Sequence, residues 1–268
     1  MIETSAVAAS NTPPRGFVDR GSIVRTIWGD PDLVLLIFAG SAAEFALNRA
    51  VDWLFFTGEI PRDPIGRLFS TVRYAQEIVF VDEEKARRTL DRINARHAHV
   101  EHQRGQTIPD WAYRDVLYML IDYSERAYAL LYKPLAKVQK HDLFEVFLRI
   151  GEGLSIPDLP ETYDEWQVDR RRHMVRDLSY SKHTSMLFQQ YRKHLGWWRY
   201  QLLLEVQAVL VPGVVRRLLD FHSNKLMSGL AQTYGIINGG KLRSLVHGLL
   251  IPPRYWSEVR SFDRAASA

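Results

Sequence analysis

Apolar residues recur along the chain at spacings of three, four and seven, and alternating apolar–polar runs are scarce. That period lets an α-helix bury one side, so helices are expected throughout. Residues 33–58, LVLLIFAGSAAEFALNRAVDWLFFTG, are apolar on nearly every side and read as one central helix. Asp30 or Asp32 would cap it, and Gly58 and Pro61 would break it. In RDPIGRLFSTVRYAQEIVF, Asp63 and Pro64 occupy the N-cap and first helical positions. In DEEKARRTLDRINARHAHVEHQRG, Asp82 is the cap, Glu83 and Glu84 complement the helix dipole, and Gly105 is the terminator.

Further helices are expected from about Asp110 to Lys133, over KHDLFEVFLRIGEG, and after Thr162 through DEWQVDRRRHMVRDL. The stretch MLFQQYRKHLGWWRYQLLLEVQAVLVPGVVRRLLDF reads as helices separated at Pro212 and Gly213. The last forty residues are loop-rich. The expected fold is all-α: a multi-helix bundle forming a single domain over 21–268, after a flexible tail at 1–20.

Composition narrows the chemistry. The 268 residues include no cysteine, which excludes disulfides, Fe–S clusters, thiolate-ligated or covalently attached c-type haem, and a thiol nucleophile. Any metal must be held by His, carboxylate or Tyr. The net charge of +4 comes from 35 basic and 31 acidic residues that are interleaved, so a mixed solvated surface is expected and a nucleic-acid partner is not. Arg170, Arg171, Arg172 and His173 read as part of such a solvated face.

No basic start leads into an apolar run, so no secretory signal is expected. Glu44, Asn48, Arg49 and Asp52 interrupt the most apolar segment too often for a membrane span. A cytoplasmic protein is expected, with peripheral membrane contact left open. GIINGGK lacks the phosphate-loop pattern, and a serine nucleophile elbow is missing.

Three of the nine histidines, His97, His99 and His102, lie within six residues. At about 100° per residue, His97 and His99 point to nearly opposite sides of a helix and cannot share an ion. His99 and His102 share a polar face with Arg92, Ala95, Arg96 and Gln103, which suits solvent. His97 lines up with Leu90, Ile93 and Val100 on the expected buried stripe, where an imidazole needs a partner. A satisfied core histidine and a ligand are both open; Glu101 or the Ile93 carbonyl can orient the ring.

One helix earlier, Arg67, Thr71, Tyr74 and Ile78 form a stripe that can aim a cation and a hydroxyl at one ligand. Equally, Arg67 can pair with Asp63, and Thr71 can bond its own backbone.

Taken together, DPIGRLFSTVRYAQEIVF, the helix with HAHVEHQRG, DVLYMLIDYSERAY and LPETYDEW resemble the domain shared by latex-clearing rubber oxygenases and MpaB-type oxygenases, over about 33–219. The resemblance implies an all-α haem b protein in which the histidine of the His-Ala-x-Val element, here His97, ligates iron. It places Arg67 and Thr71 near the haem as catalytic and cofactor-binding residues, with Tyr74 beside them.

Two positions depart from the family pattern. Ser70 stands where some rubber oxygenases carry a lysine, so the distal ligand is unassigned. DVLYML replaces a Trp-Val-His element, so rubber itself is not the expected substrate.

The function expected is haem b-dependent oxygenation of an apolar, isoprenoid or lipid-like small molecule, using dioxygen or peroxide, with an electron donor left open. The alternative is a helical protein that binds haem or a hydrophobic ligand without turnover. A di-iron bundle is disfavoured because Asn94 stands three residues before His97, where Glu would be needed.

Overall fold

The strong helix-start signals become caps. The computed structural model describes residues 15–56, 63–222 and 252–255. Ser22 accepts from Val24 N and opens α1 (Ile23–Trp28). Asp30 accepts from Asp32 N and opens α2 (Pro31–Phe45). After α3 (Val51–Phe56), Asp63 accepts from Gly66 N at 2.9 Å and opens α4 (Pro64–Val79). Asp82 caps α5 (Glu83–Arg104), which Gly105 ends at φ 68°, a left-handed conformation that costs glycine little.

Next come α6 (Asp110–Leu131) and α7 (Lys137–Gly153). Thr162 and Glu165 form a reciprocal capping box at the start of α8 (Tyr163–Asp177). The series closes with α9 (Lys182–Leu195), α10 (Trp197–Leu210) and α11 (Gly213–Leu218). Among the described residues no strand forms, only the isolated bridges Gly16↔Asp82 and Asn48↔Leu178. The fold is all-α.

The core is built around α2 packed along α6. Leu33, Ile37, Phe38 and Ala43 of α2 and Tyr118, Met119, Ile121 and Tyr123 of α6 are buried. Each large apolar side chain so buried stabilises the fold by about 1.5–3 kcal/mol before chain entropy is counted. Gly40 lets the two helices approach: a Cβ there would lie 2.3 Å from the Tyr123 ring.

The segment 33–58 is not one helix. The backbone leaves α2 after Phe45 because residues 47–49 pair with residues 177–179: Arg49 N donates to Asp177 O at 3.0 Å, and Ser179 N to Leu47 O at 2.8 Å. Asn48 then accepts from Ala50 N, replacing a helical bond, and leads into α3. A second break unmarked in the expected pattern falls at Gly196, at φ 76°, between α9 and α10.

Residues 15–20, expected as the end of a flexible tail, are packed at their centre and exposed at Arg15, Asp19 and Arg20. Phe17 and Val18 are buried, and Phe17 N donates to Val81 O at 3.0 Å. Residues 1–14, Gly58, Pro61, GIINGGK and most of the final forty lie outside the described residues.

The inner side of α8 overturns the expectation of a solvated basic face. Arg171 and Arg172 are exposed, but Arg170 and His173 are buried. The Arg170 guanidinium meets both oxygens of Glu44 at 2.5 and 2.6 Å and Asp122 at 3.1 Å, while Tyr123 Oη donates to Glu44 at 3.0 Å. Burial works against the charge on Arg170, and Glu44 and Asp122 more than reverse it. Glu44 reads from sequence as an interruption of an apolar helix, yet it is the partner that makes Arg170 buriable.

Candidate functional site

Helices α4 and α5 pack against each other and flank a cleft of about 640 Å³. Its wall on α4 carries Arg67, Ser70, Arg73, Tyr74 and Glu77, with the capping Asp63 at the end; α5 contributes Arg92 and Arg96. The 3.6-residue period puts Arg67, Ser70, Tyr74 and Glu77 along one side of α4, and Arg92 and Arg96 one turn apart on α5. Arg92 is tied to Glu77 and to Thr89 Oγ1.

Arg67 and Tyr74 therefore share one wall. Thr71 is part-buried, and its Oγ1 donates to Arg67 O at 3.3 Å; Ser70 Oγ donates to the same carbonyl at 2.7 Å. Both hydroxyls use their protons on their own helix, as was open for Thr71.

His97 is half-buried on α5, while His99 and His102 are exposed. Leu90 is buried, with Ile93 and Val100 partly covered, so the stripe faces inward at its N-terminal end and emerges towards solvent later. The His97 ring lies against the Tyr113 ring, with centroids 5.0 Å apart. Among the described residues neither ring nitrogen makes a hydrogen bond.

Burial lowers the His97 pKa below 6.5, and the Arg67 guanidinium lowers it further; Glu101 opposes the shift and Arg96 adds to it. The imidazole is thus held neutral near pH 7, with lone-pair capacity available.

Glu101 does not bond the ring. Its Oε1 accepts from Ile108 N at 2.8 Å and Tyr113 Oη at 3.2 Å. Burial first, and then Glu101, raise the Tyr113 pKa, so the phenol stays protonated as donor. Besides its charge, Glu101 acts on His97 by holding Tyr113, which limits the ring on one side. Nearby, Arg104 bonds Asp52 at 2.8 Å and stacks over Trp53 at 3.8 Å, fastening α3 across the end of α5.

The lining is not what an apolar substrate by itself would call for: its described members are mostly charged. Apart from Arg67, the cationic side chains flanking it were legible only as polar positions, because sequence does not tell which polar face meets another helix. His194 is a further addition. From α9 its Nδ1 stands 3.7 Å from Asp63 Oδ1, and no sequence spacing pointed to it.

A second cluster, Asp115, His173 and Asp177, is fully buried and has the residue types that bind metals. Its partners are already in place. Asp115 bonds His173 Nδ1 and accepts from Asn48 Nδ2 at 2.6 Å, and Asp177 accepts from Arg176 through both oxygens. The hydrogen bonds join α8 to α6 and to the turn after α2.

Among known families, the model described as "ER-bound oxygenase mpaB/B'/Rubber oxygenase, catalytic domain" matches residues 28–235. The chain belongs to this family. The match extends beyond 33–219 at both ends and takes in the α4–α5 cleft and His97. None of the curated proteins compared with the chain matches it. Membership makes the domain oxygenase-related, and its all-α architecture accords with that.

Proposed function

We propose that the protein is a haem b-dependent oxygenase in which His97, next in the chain to the lining residue Arg96, holds the iron and the adjoining α4–α5 cleft receives the haem. The observation that carries this reading is a neutral imidazole with no hydrogen-bond partner among the described residues, subject to the charge of Arg67 from the cleft wall. This donor chemistry fits haem iron, which would take a neutral imidazole, and the absence of cysteine excludes a thiolate ligand. The cations lining the cleft fit the two propionates of haem b.

Bound there, haem would supply the activation of dioxygen or peroxide. The chain's own residues have simpler tasks. His97 donates a lone pair; Tyr113, held by Glu101, keeps the ring from turning. Burial favours the unprotonated imidazole and Arg67 adds to it; Arg67 also offers a cation to a propionate or to a developing negative charge. Thr71, with its proton engaged at Arg67 O, presents acceptor lone pairs, and Tyr74 covers part of the wall. The charged lining is assigned to the cofactor's acidic arms; the substrate is proposed, from the family resemblance, as an apolar isoprenoid or lipid-like molecule, with an electron donor where dioxygen is the oxidant.

Visible absorption of the protein purified with haem supplied during expression tests the reading. A Soret band is expected, abolished in His97→Ala with helicity retained and kept in His99→Ala and His102→Ala. A wild-type protein that takes up no haem would refute the proposal. Haem uptake without oxygen incorporation into any apolar substrate would leave a carrier rather than an oxygenase.

A further inference from the structure

Between Asp177 and Glu205 the chain holds no acidic residue but four basic ones, Lys182, Arg192, Lys193 and Arg199. At the overall composition such a stretch would carry about three acids, so charge is segregated in this stretch, as it is in sequence between Asp220 and Glu258. The segment folds as the hairpin of α9 and α10, turning at Gly196.

Large apolar side chains are exposed on this same hairpin. Trp197 and Trp198, the first residues of α10, are 66% and 39% exposed, whereas Trp28 and Trp166 are buried. Tyr180 and Met186 are exposed as well. Lys182, Met186, Gln189 and Lys193 recur at helical spacing along one exposed side of α9, leading to the tryptophan corner. The Arg199 guanidinium stands 4.3 Å over the Trp198 ring.

Indole rings on a basic, acid-free surface match one environment best. An indole has an apolar body and a polar N–H, which suits the interface between lipid tails and headgroups; lysine and arginine beside it match anionic headgroups. Nothing here resembles a groove for stacked bases, and a protein partner would not need the absence of every carboxylate over so long a stretch. Among the described residues no helix is long and apolar enough to cross a membrane, so the contact is a surface one.

We infer that the α9–α10 corner, with Trp197 and Trp198 as inserted anchors and Lys182, Arg192, Lys193 and Arg199 as headgroup contacts, docks the protein on an anionic lipid bilayer. His194, on the last turn of α9, stands 3.7 Å from Asp63 of the cleft wall, so the docked corner brings the bilayer beside the candidate site. That placement suits an apolar substrate leaving the membrane. This access role rests on the proposed function; the docking itself does not.

The test is co-flotation of the full chain with phosphatidylcholine vesicles, with and without about 30 mol% phosphatidylserine, alongside tryptophan emission. Wild type is expected to float with the anionic vesicles, to release as salt rises, and to show a blue shift. Trp197→Ala/Trp198→Ala should lose the shift and at least about tenfold in partitioning, and Arg192→Glu/Lys193→Glu at least about tenfold in partitioning. These side chains are exposed, and thermal melts within a few degrees of wild type establish that the variants fold.

No flotation, flotation equal in wild type and variants, or an oligomer dissolved by the tryptophan substitutions without lipid binding would each overturn the inference. So would a single-stranded oligonucleotide bound through the same tryptophans in preference to vesicles. Because apoprotein suffices, failure here is separate from failure of the haem reading.

Discussion

The guanidinium of Arg67 on α4 adds to burial in favouring the neutral imidazole of His97 on the neighbouring α5. The relationship predicts a titration. The His97 ring proton resonances should move with a midpoint below 6.5, and Arg67→Gln should bring the midpoint back towards 6.5. A midpoint unchanged by Arg67→Gln would mean that burial alone sets it.

A linked stability change follows. In the unfolded chain the imidazole takes its proton near 6.5, while in the folded protein it does so at lower pH. The unfolded state binds more protons between those two values, so stability is full above 6.5 and declines as pH falls through the folded value. Denaturant melts of wild type and His97→Gln across this window should differ in slope, with wild type losing more on acidification.

Tyr113→Phe keeps the ring against His97 and removes its hydrogen bond to Glu101, which retains Ile108 N. A loss of about 1 kcal/mol in chemical denaturation is expected, with retained haem affinity. Tyr113→Ala removes the ring as well, and should loosen His97 and weaken haem binding.

Arg170→Met leaves Glu44 buried without its cation. Denaturation should show a loss of about 3–5 kcal/mol, and adding Glu44→Gln should recover part of it. A loss below about 1 kcal/mol would show that Glu44 takes up a proton or water at little cost.

Gly40→Ala places a methyl group 2.3 Å from the Tyr123 ring, between the two helices that build the core. A destabilisation of about 1–3 kcal/mol is expected in thermal or denaturant melts, and Gly40→Ala/Tyr123→Leu should be less than additive.

Asp63, Asp82 and Thr162 announced their helices because a cap is a local event: a side-chain oxygen reaches a backbone N–H two or three residues away. His97 was separable from His99 and His102 for a similar reason, since helix geometry is known once a helix is. The interruption after Phe45 was not legible, because the competing bonds come from residues 177–179, more than a hundred positions later. Nor was the fate of Arg170. A basic run looks solvated until its partners are known, and Glu44 and Asp122 are supplied by other helices.

By itself, then, the sequence determined the all-α class, most helix starts and the separation of His97 from His99 and His102, which follow from spacing and short-range hydrogen bonding, and the family, which follows from the motifs it shares with that family. Tertiary structure alone decided that α4 and α5 flank a charged cleft, that Arg67 adds to the effect of burial on His97, that Glu101 holds Tyr113 beside it, and that His194 approaches Asp63. Those depend on which polar face meets which neighbour. Periodicity fixes the direction of a side chain about its own helix axis and says nothing of the helix it will face.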